Sequence, residues 1–178
     1  AGFKQWGGDI QQDIAEAVDW AVNNKRISAE NICIAGHSFG GYSAVMSPIN
    51  YPEKYRCAVA SMGVYDLPLM YEEGDTIEVN FGESLLNNLL GTDKKIQQQM
   101  SPAFNVSRLK TPLFIFHGNK DWRAPIEQAD SLLYALNEAD KPYQYHLFDK
   151  EGHGFFNPDS RVTFYTKMLT FLDKHLAD

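Results

Sequence analysis

Positive charge is scarce in this sequence: 16 lysines and arginines face 23 aspartates and glutamates, a net charge of −7. That balance speaks against nucleic acid or an anionic membrane surface as a partner, since both demand basic patches. Long apolar runs are missing too, so no segment reaches membrane-spanning length. No secretory signal opens the chain, which starts Ala1-Gly2-Phe3 without a methionine, and the compartment is left undefined. The two cysteines show neither C-x-x-C spacing nor a nearby histidine cluster. Both are expected to be buried free thiols, because a bridge would need the strands that carry them to be neighbours. There is no phosphate-binding glycine loop, no metalloprotease helix, no repeat and no low-complexity tract. What remains is 178 residues of globular composition, rich in aromatics, and long enough for one domain with a core of its own.

The most informative stretch is Asn31 to Gly41, reading N-I-C-I-A-G-H-S-F-G-G. Its first five residues form an apolar run, the pattern of a strand buried on both faces. Gly36-His37-Ser38-Phe39-Gly40 then matches G-x-S-x-G between that strand and a helical pattern, the context of a nucleophile elbow. A serine on so sharp a turn needs a strained backbone. Gly36 and Gly40 are expected where a side chain would collide with adjoining elements. The helix starting near Phe39 would aim its positive end at a developing anion.

Around this motif, strand and helix alternate. Ile10, Ile14, Ala17, Val18, Ala21 and Val22 predict an amphipathic helix over 9–24. After the elbow, Tyr42, Val45, Met46 and Ile49 mark a helix that Pro48 should limit. Cys57 to Met62 reads as a second strand. Residues 64–110 are least regular, with one helix suggested by Leu85, Leu86, Leu89 and Leu90 and another over 92–100 capped by Thr92; such insertions form lids and substrate walls. Pro112 to His117 is a third strand, and Pro125 starts a helix with Ile126, Ala129, Leu133 and Leu136 on one face. Tyr143 to Phe148 is a fourth strand. The last helix, about 159–176, carries Val162, Tyr165, Leu169, Leu172 and Leu176 along its apolar stripe. The alternation predicts an α/β fold, a parallel sheet covered by helices on both faces.

A nucleophilic serine needs a base and an acid to orient it, and α/β sheets present such groups beyond the carboxyl ends of strands. The third strand runs into His117-Gly118-Asn119-Lys120-Asp121, and the fourth into Asp149-Lys150-Glu151-Gly152-His153-Gly154. Asp121 and His153 fit the chain order serine, acid, histidine. Asp66 and Asp149 are the competing acids. The other histidines read as structural: His37 pointing away from the serine, His117 at a strand end bonding backbone, His146 within a strand and His175 in the terminal helix. Tyr65, Trp122 and Phe155 each follow a strand end, and either wall an apolar substrate pocket or plug the loop cores.

Taken together, Trp6-Gly7, Gln12-Asp13-Ile14, Gly36 to Tyr42, Ser101-Pro102, His117-Gly118 with Asp121, Pro125 and Glu151 to Gly154 resemble the catalytic domain of the prolyl oligopeptidase family of serine peptidases. They span nearly the whole chain in the family's order. The departures, Phe39 for tyrosine and Ala124 for valine, are small. The resemblance implies a partial α/β-hydrolase fold, with residues 1–178 as the C-terminal portion of one catalytic domain. It implies Ser38 as nucleophile, Asp121 as orienting acid, His153 as general base and the Phe39 N–H as one oxyanion donor, acting on peptides without metal or cofactor. A carboxylesterase on the same three residues, or a weakly catalytic assembly module, are the alternatives. Relatives open this domain with about four further strands that supply the second oxyanion donor. Without them the elbow strand lies at a sheet edge, where a second copy or another chain is expected to pair.

Overall fold

A computed structural model describes residues 2–177. Four strands, β1 (Cys33–His37), β2 (Cys57–Ser61), β3 (Leu113–Gly118) and β4 (Tyr143–Phe148), form one parallel sheet in the order β1-β2-β3-β4. Each strand lies beside its predecessor in the chain. All four carboxyl ends therefore open on one side, and the loops that leave them meet there.

Side chains alternate across each strand, so the sheet has two separate cores. On one face Ala58, Ala60, Leu113 and Ile115 meet Tyr42, Val45, Met46 and Ile49 of helix α2 (Phe39–Asn50), together with Leu132 and Leu136 of α6 (Ile126–Glu138). Leu86 and Leu90 of α4 (Gly82–Leu90), which follows the single turn of α3 (Asp75–Glu78), close the same core. On the other face Val59, Phe114, Phe116 and Phe148 meet Phe164, Met168 and Phe171 of α7 (Pro158–Leu176). Helix α1 (Asp9–Asn23) sits against α2, with Gln11 fully buried and its Nε2 donating to the Trp6 carbonyl and to Ser43 Oγ.

Several expectations change. The cysteines are not free thiols: Cys33 and Cys57 are bridged. They are register partners on adjacent parallel strands, 4.6 Å apart at Cα, a spacing a disulfide spans. Strand β1 is not buried on both faces; Ala35 and His37 share the face on which α7 packs over Val59, Phe114, Phe116 and Phe148 of the other strands, and they are exposed there. Helix α2 runs past Pro48 by only two residues, ending at Asn50, with the i→i−4 bond that Pro48 cannot donate given up in its last turn. Asp93, not Thr92, caps α5 (Lys94–Gln99), accepting from the Lys95 and Ile96 N–H groups. On α7, Val162, Tyr165 and Leu169 of the expected stripe face outward, more than half exposed, while Leu172 packs with Phe164, Met168 and Phe171 against the second core. Among the described residues, no helix is long and apolar enough to cross a membrane.

Candidate active site

Ser38 stands between β1 and α2 with φ 58° and ψ −122°, a backbone conformation that costs a non-glycine residue strain. Two contacts hold it there. Its N–H donates to the Ser61 carbonyl at 2.9 Å, and its own carbonyl accepts the Tyr42 N–H at 3.1 Å. The turn is so tight that a Cβ on Gly36 would lie 2.1 Å from the Gly40 carbonyl oxygen. At Gly40 itself a Cβ would meet nothing within 4 Å, so the expected collision there is absent; Gly40 contributes its backbone to the crowding at Gly36. Phe39 is the first residue of α2, so its N–H has no intrahelical acceptor and points to the space ahead of the helix.

The loop after β3 presents Asp121 with its side chain fully buried. One carboxylate oxygen, Oδ1, accepts the N–H groups of Arg123 and Ala124, both at 2.9 Å. That leaves Oδ2 for the loop after β4, where His153 Nδ1 lies 2.7 Å away. The opposite ring nitrogen, Nε2, lies 2.8 Å from Ser38 Oγ. A carboxylate can only accept, so Nδ1 carries the proton and the bare Nε2 accepts the serine hydroxyl. Three residues from three strand ends thus form one continuous row of hydrogen bonds.

Two features of Glu151, a residue of the motif with no role of its own assigned from the sequence, hold this row. Glu151, 2% exposed, accepts the N–H of Phe156 at 2.8 Å through Oε2 and that of Asn157 at 3.1 Å through Oε1. Burial alone would raise its pKa, but bonds from Ser160 and those two N–H groups, with Arg161 nearby, outweigh it and keep the carboxyl below its ordinary value. The Glu151 carbonyl also accepts the Lys120 N–H at 2.9 Å, joining the His153 loop to the Asp121 loop.

The rival acids lie elsewhere. Asp66 is buried against α6, where Oδ2 accepts the Ser131 hydroxyl at 2.8 Å and burial raises its pKa. Gln128 fixes that turn, its Oε1 accepting from the Tyr65 and Asp66 N–H groups and its Nε2 donating to the Asp66 carbonyl. Asp149 is exposed at the end of β4. Among the histidines, His117 is fully buried and its Nε2 donates to the Ala124 carbonyl at 2.8 Å, with burial the main cause of a lowered pKa. His37 does not point away from the site: its ring lies 5.1 Å from that of His153.

The three aromatic candidates separate. Trp122 is 73% exposed and borders a cleft of about 490 Å³ beside Asp121, Glu73 and Glu78. Tyr65 is fully buried, with its hydroxyl accepting the Gly63 N–H, and walls no open pocket. Phe155 stacks on Phe164 and meets Phe148 edge-on, tying the histidine loop to the second core. Among the described residues no cluster of histidine, cysteine and carboxylate side chains is arranged to hold a metal.

The model of the prolyl oligopeptidase family matches residues 1–178. Dipeptidyl aminopeptidase BIII of Pseudoxanthomonas mexicana is 29% identical over 181 residues, covering 99% of this chain and 26% of that protein. Dipeptidyl peptidase family member 6 of Caenorhabditis elegans is 27% identical, covering 99% and 25%. Among solved structures, a puromycin-hydrolyzing peptidase of Mycobacterium tuberculosis superimposes with a TM-score of 0.89 at 24% identity, covering 98% of this chain and 26% of that one. The acylaminoacyl peptidase of Pyrococcus horikoshii does so at 0.89 and 21%, covering 98% and 29%. The chain thus spans about a quarter of the length of the curated relatives it matches.

Proposed function

The chain belongs to the prolyl oligopeptidase family, and on that premise we propose that its residues 1–178 are the C-terminal portion of a serine-peptidase catalytic domain, with Ser38, His153 and Asp121 as its catalytic residues. The observation that carries the reading is the position of His153, 2.8 Å from Ser38 Oγ and 2.7 Å from Asp121 Oδ2. In the first step Ser38 Oγ attacks the scissile carbonyl carbon while its proton passes to His153 Nε2. Asp121, held by two backbone N–H groups, orients the imidazole and stabilises the imidazolium that results. The carbonyl oxygen becomes an anion at the start of α2, where the Phe39 N–H and the helix dipole meet it. His153 then gives its proton to the departing amine, the C–N bond breaks and an acyl-enzyme remains. Water repeats the sequence with His153 as base and frees Ser38. No metal or organic cofactor takes part.

Peptides are the proposed substrates because the relatives are named as peptidases. A carboxylesterase would use the same row of residues, and an assembly module would use none of it. An oxyanion site with one donor in place of two is slower by about 10²–10³, so a fluorophosphonate reagent is the sensitive first probe. We expect one adduct per chain on Ser38, absent in Ser38→Ala and nearly absent in His153→Ala. A dipeptide anilide and an activated ester then divide the readings. Ester turnover alone supports the esterase, and a chain inert to phosphonate and both substrates supports the assembly module.

A further inference from the structure

His37 occupies the x position of the elbow, and its side chain enters no step of the proposed mechanism. Yet its ring is the one aromatic neighbour of the His153 ring among the described residues, at 5.1 Å between centroids and tilted by 50°. His153 needs such a neighbour. It sits between Gly152 and Gly154 on a loop, its side chain is 26% exposed, and its hydrogen bonds to Asp121 and Ser38 act only along the ring's edges. Those two bonds hold the ring at its edges, and neither gives it a contact across its face.

His37 is itself held. Its Nδ1 lies 3.3 Å from Ser61 Oγ, and the two residues are register partners across β1 and β2. Ser61 is 2% exposed, and its carbonyl accepts the Ser38 N–H. One residue of β2 therefore orients both the reactive turn and the ring that stands against His153. Solvent reaches the outer edge of His37, but burial of the rest, followed by the neighbouring His153, keeps its pKa below the ordinary imidazole value. Near neutral pH it stands uncharged, and so places no cation against the base.

We infer that His37 is a positioning residue, a wall that keeps the His153 ring in line between Asp121 and Ser38. The inference rests on the proposed roles of Ser38 and His153. A free ring would spend time out of line, lowering kcat and leaving substrate binding alone.

The test uses the full 178-residue chain and the variants His37→Ala and His37→Phe, with an activated ester as substrate. A second measurement follows the downfield proton resonance of the His153 Nδ1–H···Asp121 bond, which needs no turnover. We expect His37→Ala to lower kcat about tenfold with KM unchanged and to broaden the resonance, while His37→Phe, which keeps a ring in place, stays close to wild type in both. Wild-type kcat and an unbroadened resonance in His37→Ala would overturn the inference. So would equal loss in both variants, since the ring would then not be the working part, and so would a change confined to KM, which would put His37 against substrate. If the wild-type chain fails to turn over the ester, the proposed activity fails, and the resonance still decides the role of His37.

Discussion

Gly118 and Gly152 stand so close that a Cβ on Gly118 would lie 2.4 Å from the Gly152 carbonyl oxygen. This approach brings the loop after β4 down onto the loop after β3, and with it His153 onto Asp121. The clash would be with backbone, which cannot rotate away as a side-chain tip can.

Gly118→Ala is therefore expected to part the two loops. Overpacking of this kind destabilises by about 1–3 kcal/mol, and a displacement near 1 Å at His153 lowers turnover by about 10². Phosphonate labelling of Ser38 beside a urea titration measures both. Wild-type labelling in Gly118→Ala would remove the close approach from the account.

Asp121→Asn should lower ester turnover by about 10⁴ with little change in KM, because the amide cannot hold His153 in the tautomer that leaves Nε2 bare. Asp66→Asn, at a carboxyl bonded to Ser131 and not to His153, should leave turnover near wild type. The reverse ranking would move the acid role to Asp66.

Much of this site can be read from the residues. Apolar runs ending in Gly36, Gly63 and Gly118 mark strand ends, and G-x-S-x-G and G-H-G are local patterns. Harder to see is whatever depends on how strands lie side by side. The Cys33–Cys57 bridge follows from the β1–β2 register, which no local pattern encodes. His37 beside His153 joins positions 116 residues apart, again a matter of tertiary approach. On α7 two apolar stripes run side by side, Val162-Tyr165-Leu169 and Phe164-Met168-Phe171, and helical periodicity is equally satisfied by either. The choice is made by shape, since Phe114 and Phe116 offer aromatic surface to Phe171 and Phe164.

Stability should fall with acid in two stages. His37 and His117 have lowered pKa values in the folded chain, mainly through burial, against 6.5 for the free side chain. The unfolded chain then binds more protons, so stability drops as pH falls below about 6.5. Glu151 is also lowered, from 4.5, so the stability it contributes is present above that pH and is lost as pH falls through its folded value. Asp66, raised from 3.8, acts in the opposite sense and offsets part of that loss. Urea midpoints from pH 8 to pH 4 give the profile, and His117→Gln should flatten the upper stage. An unchanged slope in that variant would assign the upper stage to other groups.

Reduction of the Cys33–Cys57 bridge should destabilise the chain by about 3 kcal/mol, the loop-closure value for a separation of 24 residues. Urea unfolding with and without a thiol reductant measures it. Equal midpoints would mean that pairing with β2 holds β1 without the bond.

The three aromatic residues should respond differently to alanine. Trp122→Ala should change KM and leave the unfolding midpoint in place, as its ring borders a cleft in the open. Tyr65→Ala should cost about 3–5 kcal/mol, as for a large buried ring. Phe155→Ala should lower stability less and turnover more, because it loosens the loop that carries His153. A midpoint shift for Trp122→Ala as large as that for Tyr65→Ala would reverse the first two assignments.

The bond between Ser38 and His153 joins residues 115 positions apart, across every crossover between β1 and β4. Closing so long a segment costs chain entropy that only the finished sheet repays. During refolding, helices α1 and α7 can gain their hydrogen bonds locally and early, whereas Ser38 gains its bond to His153 only when the last strand docks. Reactivity at Ser38 therefore serves as a clock for completed folding. Pulse labelling with phosphonate should lag the helical circular-dichroism signal, and the lag measures the time the chain spends helical but without its site.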